Sequence, residues 1–471
     1  MTVFPILLAL AAAAPAAPPA VAFAPVPAVT KSHDDPRGII PSAPPRIVPG
    51  QGACGEIPPG PLALPALVDI ALCRNPQTAV SWASVRGAAA NTGIARAANL
   101  PSINVSANPS LNRNDDLNDD GFDSSGTSWN TTAAIAVNYL LFDGGGRAAR
   151  ISAAQAGERF AFAQYADAAQ EVVLSVITAY NNLAANRAAE TANIANVEFA
   201  RQSRDLAAAR QRAGVATPAD RLQAETVLAQ SELALIQTRG AIATSAAQLA
   251  VAMGLPPQTN LSLAPLPPLA TGALLRSGAD ALIAEAERLR PDIVAARAAI
   301  DNADANVRAQ LSEGRPSLSA TVSNNLNQTN AGFNTNSGAV GLSLQVPIFS
   351  GWAQRYSIAS ARAEADRQRA LAEQTRQQAG LSVYSNYVAL DNALSALGTA
   401  RTLVASAEES AALAQGRYKA GVGIFADLLN AQSALAEARQ QLVTAELNIR
   451  TANAQLARAI GGIGEAVDGD R

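Results

Sequence analysis

Apolar and polar residues alternate along four short stretches of the chain. Ile103, Val105 and Ala107 point one way, while the Asn and Ser residues between them point the other. A period of two predicts strands with one apolar and one polar face. The predicted strands cover residues 101–112, 129–143, 316–328 and 338–349. Segments of this length fit tilted membrane strands whose polar face lines water.

A period of seven replaces this alternation in the long segments after each strand pair. Leu428, Leu435 and Leu442 recur every seven residues, and small residues such as Ala431 and Ala438 follow three positions later. Such heptads predict coiled-coil helices whose small residues allow the backbones to approach closely.

Prolines mark where these helices can run without a break. No proline lies between Pro109 and Pro218, and none follows Pro347. Residues 147–212 can therefore form one helix of about 66 residues, roughly 100 Å long. This length exceeds that of ordinary globular helices and again favours coiled-coil packing.

The chain also repeats its own pattern after about 210 residues. Asn75-Pro76 returns as Arg290-Pro291, and Leu141-Phe-Asp-Gly144 returns as Ile348-Phe-Ser-Gly351. Each repeat is predicted to hold a helix, two strands and a long helix pair. The opening helix of each repeat is expected through 66–99 and through 279–313.

These patterns divide the 471-residue chain into successive segments. In order, they are a signal peptide at 1–24, a poorly ordered Pro-rich linker at 25–65, the first repeat at 66–254, a Pro-rich linker at 255–278, the second repeat at 279–462 and a tail at 463–471. The signal peptide is expected because a short apolar run precedes small residues.

Composition narrows the possible functions. The net charge of −3 gives no indication of nucleic-acid binding. With one His and two Cys, a His/Cys metal site is not expected. We find no nucleophile–base set, metal cluster or nucleotide motif, so we expect neither an enzyme nor a cofactor.

The two cysteines flank the end of the first linker. Cys54 and Cys73 lie 19 positions apart, and in an exported protein such a pair is expected to form a disulfide that joins the linker to the first helix. A lipid-modified Cys54 is the alternative, which its distance from the start of the chain disfavours.

Four strands cannot close a membrane barrel, because the strand edges would leave backbone groups unpaired in lipid. The chain must therefore assemble with further copies, and long helices extending from such a barrel describe a tube. The alternative is a periplasmic coiled-coil scaffold or adaptor protein, which would explain the heptads but not the alternating strands.

Several motifs resemble those of the TolC-type outer-membrane factor family. They are Ala71–Pro76, Leu100-Pro-Ser before a strand, Leu141–Gly145 at a helix start, and Arg417–Leu435 around a helix turn. The resemblance covers the chain from about residue 62 to 462.

The resemblance implies an α+β membrane protein of the cell outer membrane that extends into the periplasm. Three chains would form a twelve-stranded β-barrel in lipid, continued by an α-barrel tunnel of long antiparallel coiled-coil helices. A periplasmic adaptor (membrane fusion) protein and a proton- or ATP-driven inner-membrane transporter would be its partners. Drugs, small molecules or secreted proteins would be the cargo, and multidrug efflux and type I secretion both fit the sequence.

The two helix turns hold the candidate gate residues. Asp220 and Asp427 each lie just inside the helix after a turn, where a carboxylate also stabilises the helix dipole. The resemblance implies an acidic ring at Asp427 and a closing role for Tyr418. A second acid of the family's pattern is Asn430 here, so we expect a single ring.

Glycines occupy both turns, at Gly214, Gly421 and Gly423. The glycines of the second turn can be interpreted as a hinge or as a tight turn that needs positive φ, and we favour the tight turn. The family's pattern has a basic residue at the position of Gly423, so the bonds that close the gate are expected to differ.

Overall fold

The computed structural model describes residues 35–45, 60–117, 123–265, 269, 273–329 and 334–463. The predicted signal peptide lies outside these ranges, as does the tail after Ile463. The helices are α1 (Leu64–Arg74), α2 (Pro76–Ala97), α3 (Gly146–Arg212), α4 (Pro218–Ala252), α5 (Ala279–Leu289), α6 (Pro291–Glu313), α7 (Ala353–Lys419) and α8 (Phe425–Ile460). The strands are β1 (Ser102–Leu117), β2 (Asp123–Phe142), β3 (Ser317–Thr329) and β4 (Thr335–Gln345), and a short 3-10 helix (Ala273–Ser277) precedes α5.

Each repeat opens with two helices where we predicted one. The helix expected through 66–99 is broken at Asn75, and its counterpart in the second repeat is broken at Arg290, because both residues have extended backbone. Each precedes a proline, whose ring disfavours helical backbone in the residue before it. Pro76 and Pro291 therefore begin new helices, and the prediction of a single helix was wrong.

The two long helices organise the rest of the molecule. α3 and α7 have 67 residues each, so each is about 100 Å long. α3 packs between α2 and α4 on one side and α6 and α8 on the other, and α7 packs against α6 and α8. The helices thus form a layer in which, among the described residues, no helix packs on the outer flanks of α2, α4 and α7.

Shorter helices stack end to end beside the long ones. The Asn75 side chain donates to the carbonyl oxygen of Ala252 at 2.9 Å, which joins the start of α2 to the end of α4. In the second repeat, Arg290 Nη1 donates to the carbonyl oxygen of Ala459 at 2.9 Å and joins α6 to α8. Each stacked pair thereby runs along most of the length of one long helix.

The strands form one antiparallel sheet in the order β1-β2-β3-β4. An apolar row crosses all four strands at Ile103, Val137, Val322 and Val340. The neighbouring row, which includes Ser102, Asn138 and Thr321, is polar. The register therefore gives the sheet one apolar and one polar face, as the alternation predicts, and leaves β1 and β4 as open edges.

Strand ends differ from the predicted ones in places. β4 ends at Gln345, although the alternation predicts a strand over 338–349. Pro347 has no N–H group to donate to a neighbouring strand, which explains the earlier end. β1 and β2 extend further toward their connecting loop than 101–112 and 129–143.

The two Pro-rich linkers contact each other. The Leu62 N–H donates to the carbonyl oxygen of Ser262 at 2.9 Å, and the Ala264 N–H donates back to that of Leu62 at 2.9 Å. Leu62 is buried beside α1. The end of the linker predicted at 25–65 is therefore ordered, contrary to our expectation, because Leu62 enters the core.

The largest apolar cores lie where the short helices join the long ones. The first core, between α1, α3 and α4, contains the buried side chains of Leu67, Tyr180 and Leu249. The second core, between α5, α7 and α8, contains Leu282 and Leu456. The repeat in sequence is thus matched by a repeat in packing.

Candidate functional site

The first helix turn joins α3 to α4 and is built by local hydrogen bonds. Gly214 has φ of 75°, a conformation that glycine adopts without strain. Asp220 N–H donates to Thr217 Oγ1 at 3.2 Å, while Thr217 N–H donates to Asp220 Oδ2 at 3.1 Å. This reciprocal pair is a capping box, so the Asp220 carboxylate serves the start of α4.

The second turn joins α7 to α8, and its two glycines have different roles. Gly421 has φ of 80° and fits the tight-turn interpretation. Gly423 does not have positive φ, contrary to that interpretation. A Cβ on Gly423 would lie 3.1 Å from Arg417 Cβ and 3.2 Å from the Tyr418 nitrogen, so close backbone approach favours glycine there.

Asp427 and Asn430 lie on the first turns of α8 and are exposed to solvent. The residue before α8, Ile424, has no side chain that caps the helix. Asp427 therefore differs from Asp220, which is held in a capping box.

Tyr418 is buried where the two turns meet, with 3% of its surface exposed. Its ring lies 5.3 Å from that of Phe425, and the Arg210 guanidinium lies 4.7 Å above it. Arg210 Nη1 also donates to the carbonyl oxygen of Tyr418. Among the described residues, the Tyr418 hydroxyl has no hydrogen-bond partner. Burial raises the pKa of that hydroxyl and the charge of Asp220 adds to the rise, while Arg210 opposes it.

An apolar cluster holds together the turn ends of the two helix hairpins, one formed by α3 and α4 and the other by α7 and α8. It is formed by Ala207 on α3, Ala224 on α4, Tyr418 on α7 and Phe425 and Leu428 on α8. Our sequence analysis identified Tyr418 but missed Phe425 and Arg210. Arg210 carried a usable signal, because a basic residue in the last turn of a helix favours the helix dipole.

A cleft of about 560 Å³ lies further along the helices from this cluster, between α3, α4 and α8. Its walls combine the carboxamides of residues such as Asn186, Asn193 and Gln432 with apolar side chains such as Val227 and Leu435. Gln432 is buried and donates to Ser203 Oγ on α3. The cleft therefore separates two helix hairpins that remain bonded through α3.

The predicted disulfide is only partly within the described residues. Cys73 lies on α1 and is disulfide-bonded, whereas Cys54 is outside the described ranges. The pairing of Cys54 with Cys73 stays a prediction.

Within the described ranges, no helix combines the length and the apolar character needed to cross a membrane. In the same part of the chain, no group of three or more His, Cys, Asp or Glu residues could hold a metal ion. The two helix turns and the contacts between them form the candidate site.

A two-faced sheet joined to two 67-residue helices, each paired with a shorter helix, is the architecture of outer-membrane channels that continue into a helical tunnel. The chain belongs to the outer membrane efflux protein family, whose family model matches residues 67–255 and 282–462. The two matched segments correspond to the two repeats. The protein is an outer-membrane export channel whose helices extend into the periplasm.

Curated relatives cover most of the chain. It is 33% identical over 416 residues to the protein CyaE of Bordetella pertussis, spanning 87% of this chain and 86% of that protein. It is 25% identical over 391 residues to the outer membrane efflux protein BepC of Brucella suis, spanning 81% of each.

Solved structures share the fold. The outer membrane protein VceC of Vibrio cholerae matches with a TM-score of 0.73 at 21% identity, covering 85% of this chain and 96% of that one. The outer-membrane channel OprN matches with a TM-score of 0.75 at 22% identity, covering 85% and 90%.

Proposed function

We propose that three copies of this chain form an exit duct that receives its cargo from a periplasmic adaptor and an inner-membrane transporter. The observation that carries this proposal is the four-stranded sheet with open edges at β1 and β4. An unpaired edge in lipid leaves N–H and C=O groups without partners, and each such group costs on the order of several kcal/mol. Three sheets joined edge to edge form a twelve-stranded barrel and remove those edges.

The wall of the barrel supports a duct with little selectivity of its own. Outside the end nearest the β1–β2 loop, where Arg113, Asp115, Asp116 and Asp123 lie, the four strands contain no Asp, Glu, Lys or Arg. The polar face is formed mainly by Ser, Thr and Asn. Such a neutral lining suits transport of varied cargo, so we assign the choice among drugs, other small molecules and secreted proteins to the transporter. The role is transport and not catalysis.

Assembly and conduction together test this proposal. Full-length protein is expressed in a Gram-negative host, membranes are fractionated, and the purified protein is measured by light scattering and in planar bilayers. We expect recovery in the outer membrane, a trimer in detergent and stepwise conductance. Recovery as a soluble periplasmic monomer without conductance would refute the duct and favour the scaffold.

Asp427 is the proposed constriction residue. Asn430 lies about one helical turn further along α8, and the buried Tyr418 packs against Phe425 at the start of α8. Three exposed carboxylates around a threefold axis would repel one another and attract cations. Asp220 is expected to contribute less, because its carboxylate is bonded within the capping box. The proposal therefore predicts one acidic ring at Asp427.

Single-channel recordings test the ring. Asp427→Asn is expected to lower the preference for cations and to weaken block by multivalent cations. Asp366→Asn, an exposed residue near the opposite end of α7, is the control and should leave both unchanged. Unchanged cation preference in Asp427→Asn would exclude the ring.

A further inference from the structure

Arg210 connects the two helix hairpins at their turns. It lies in the last turn of α3, and its Nη1 donates to the carbonyl oxygen of Tyr418 in the last turn of α7. A Cβ on Gly421 would lie 3.7 Å from Arg210 Nη2 and 3.8 Å from Nη1. The guanidinium therefore packs against the second turn itself.

The contact involves the ring and the carbonyl group of Tyr418 but not its hydroxyl. The guanidinium lies 4.7 Å above the ring, a distance typical of a cation–π interaction. The carbonyl oxygen already accepts the Gly421 N–H at 3.1 Å, and Arg210 uses its remaining lone pair. The Tyr418 hydroxyl is buried and has no partner within the described residues.

We propose that Arg210 is a positioning residue that holds the α7–α8 hairpin against the α3–α4 hairpin and so keeps the duct closed. This inference rests on the proposed function. The proposed constriction lies at the helix turns, and opening in this proposal moves the two hairpins of one chain apart. Such movement separates Arg210 from Tyr418, because the two residues belong to different hairpins. Arg210 thereby supplies a closing contact in a chain that has Gly423 at the position where the family's pattern has a basic residue.

Two substitutions separate this arrangement from closure through the tyrosine hydroxyl. Arg210→Ala removes both the hydrogen bond and the cation–π contact, so it should favour the open duct. Tyr418→Phe keeps the ring and the carbonyl group, so it should leave the duct closed. Arg210→Lys keeps a charge and a donor, and we expect it to restore part of the closure.

Arg212 offers a matched control. It is exposed, lies two residues further along the same helix, and its Nε donates to the carbonyl oxygen of Ala208 on its own helix at 3.4 Å. Arg212→Ala removes the same charge from the same end of α3 and leaves the contact between Arg210 and Tyr418 in place.

Planar-bilayer recordings of the purified full-length protein measure the fraction of time that each variant is open. A charge-assisted hydrogen bond combined with a cation–π contact corresponds to a rise of about tenfold or more in Arg210→Ala. Arg212→Ala and Tyr418→Phe should stay within about twofold of the wild type, with Arg210→Lys in between. Light scattering and thermal unfolding of each variant check that the assembly is intact.

Either of two results overturns the inference: Arg210→Ala that stays as closed as the wild type, or Tyr418→Phe that opens as far as Arg210→Ala. If Arg210→Ala does not assemble, Arg210→Met keeps the aliphatic stem and the same expectation applies. A wild-type protein without conductance would refute the proposed function. A conducting wild type with unaffected Arg210 variants would refute this inference alone.

Discussion

Gly254 lies where the end of α4 meets the break between α1 and α2. Its φ is 72°, and a Cβ there would lie 2.5 Å from the Arg74 carbonyl oxygen and 2.9 Å from Asn75 Cα. We predict that Gly254→Ala destabilises the folded protein. The substitution strains the backbone at position 254 and also pushes α4 away from α1.

The size of the effect follows from two contributions. Holding alanine in the left-handed region costs about 1–2 kcal/mol. Moving α4 away stretches the 2.9 Å hydrogen bond from the Asn75 side chain to Ala252, worth about 1 kcal/mol. The free energy of unfolding should therefore fall by about 2–3 kcal/mol.

Denaturation with guanidinium chloride in detergent, followed by far-ultraviolet circular dichroism, measures this loss. Gly157→Ala is the control, because Gly157 lies inside α3 and a Cβ there would be 3.9 Å from its nearest neighbour, Asn302 Nδ2. This control should stabilise the protein by about 0.5–1 kcal/mol. A Gly254→Ala midpoint at or above that of the wild type would refute the reasoning.

Three further predictions concern the core, the acid response and the assembly. Leu456→Ala empties a fully buried site in the second core and should cost about 2–5 kcal/mol, measured by the same denaturation. Burial raises the pKa of Asp292, but the hydrogen bond and charge of Arg290 outweigh it and lower the pKa below 3.8. This stabilisation is present above pH 3.8 and is lost as the pH falls through the lowered pKa, so Asp292→Asn should reduce the acid sensitivity of unfolding. Ile236 is 65% exposed on the uncovered flank of α4, and Ile236→Glu should weaken the trimer in light scattering.

Each of these predictions has an outcome that contradicts it. A Leu456→Ala protein as stable as the wild type would mean that the core closes around the lost side chain. If the free energy of unfolding depends on pH in Asp292→Asn as it does in the wild type, the ion pair of Asp292 with Arg290 is excluded as a source of acid sensitivity. Ile194→Glu is the control for Ile236→Glu, because α3 has helices of its own chain on both sides. Equal loss of trimer in both variants would exclude a specific role for the α4 flank.

The sequence was sufficient to determine the elements and the repeat. The strand alternation at Ile103 and Val105 and the heptads from Leu428 onward follow from the backbone periods of a strand and a helix, so both patterns can be seen in a single chain. Pro76 and Pro291 also indicated the two helix breaks, although we predicted single helices over 66–99 and 279–313. The rule that applies there is local, so the sequence contained the answer.

Tertiary structure alone decided which distant residues meet. Arg210 and Tyr418 are 208 positions apart, and Asn75 and Ala252 are 177 positions apart. No periodic pattern specifies such pairs, because they depend on how whole helices stack and on the rotation of each helix about its axis. The same packing buried Tyr418 and left Asp427 exposed, although each lies within a few residues of the same turn. Periodicity thus determined which face of each element is apolar, and packing determined which side chains form the candidate gate.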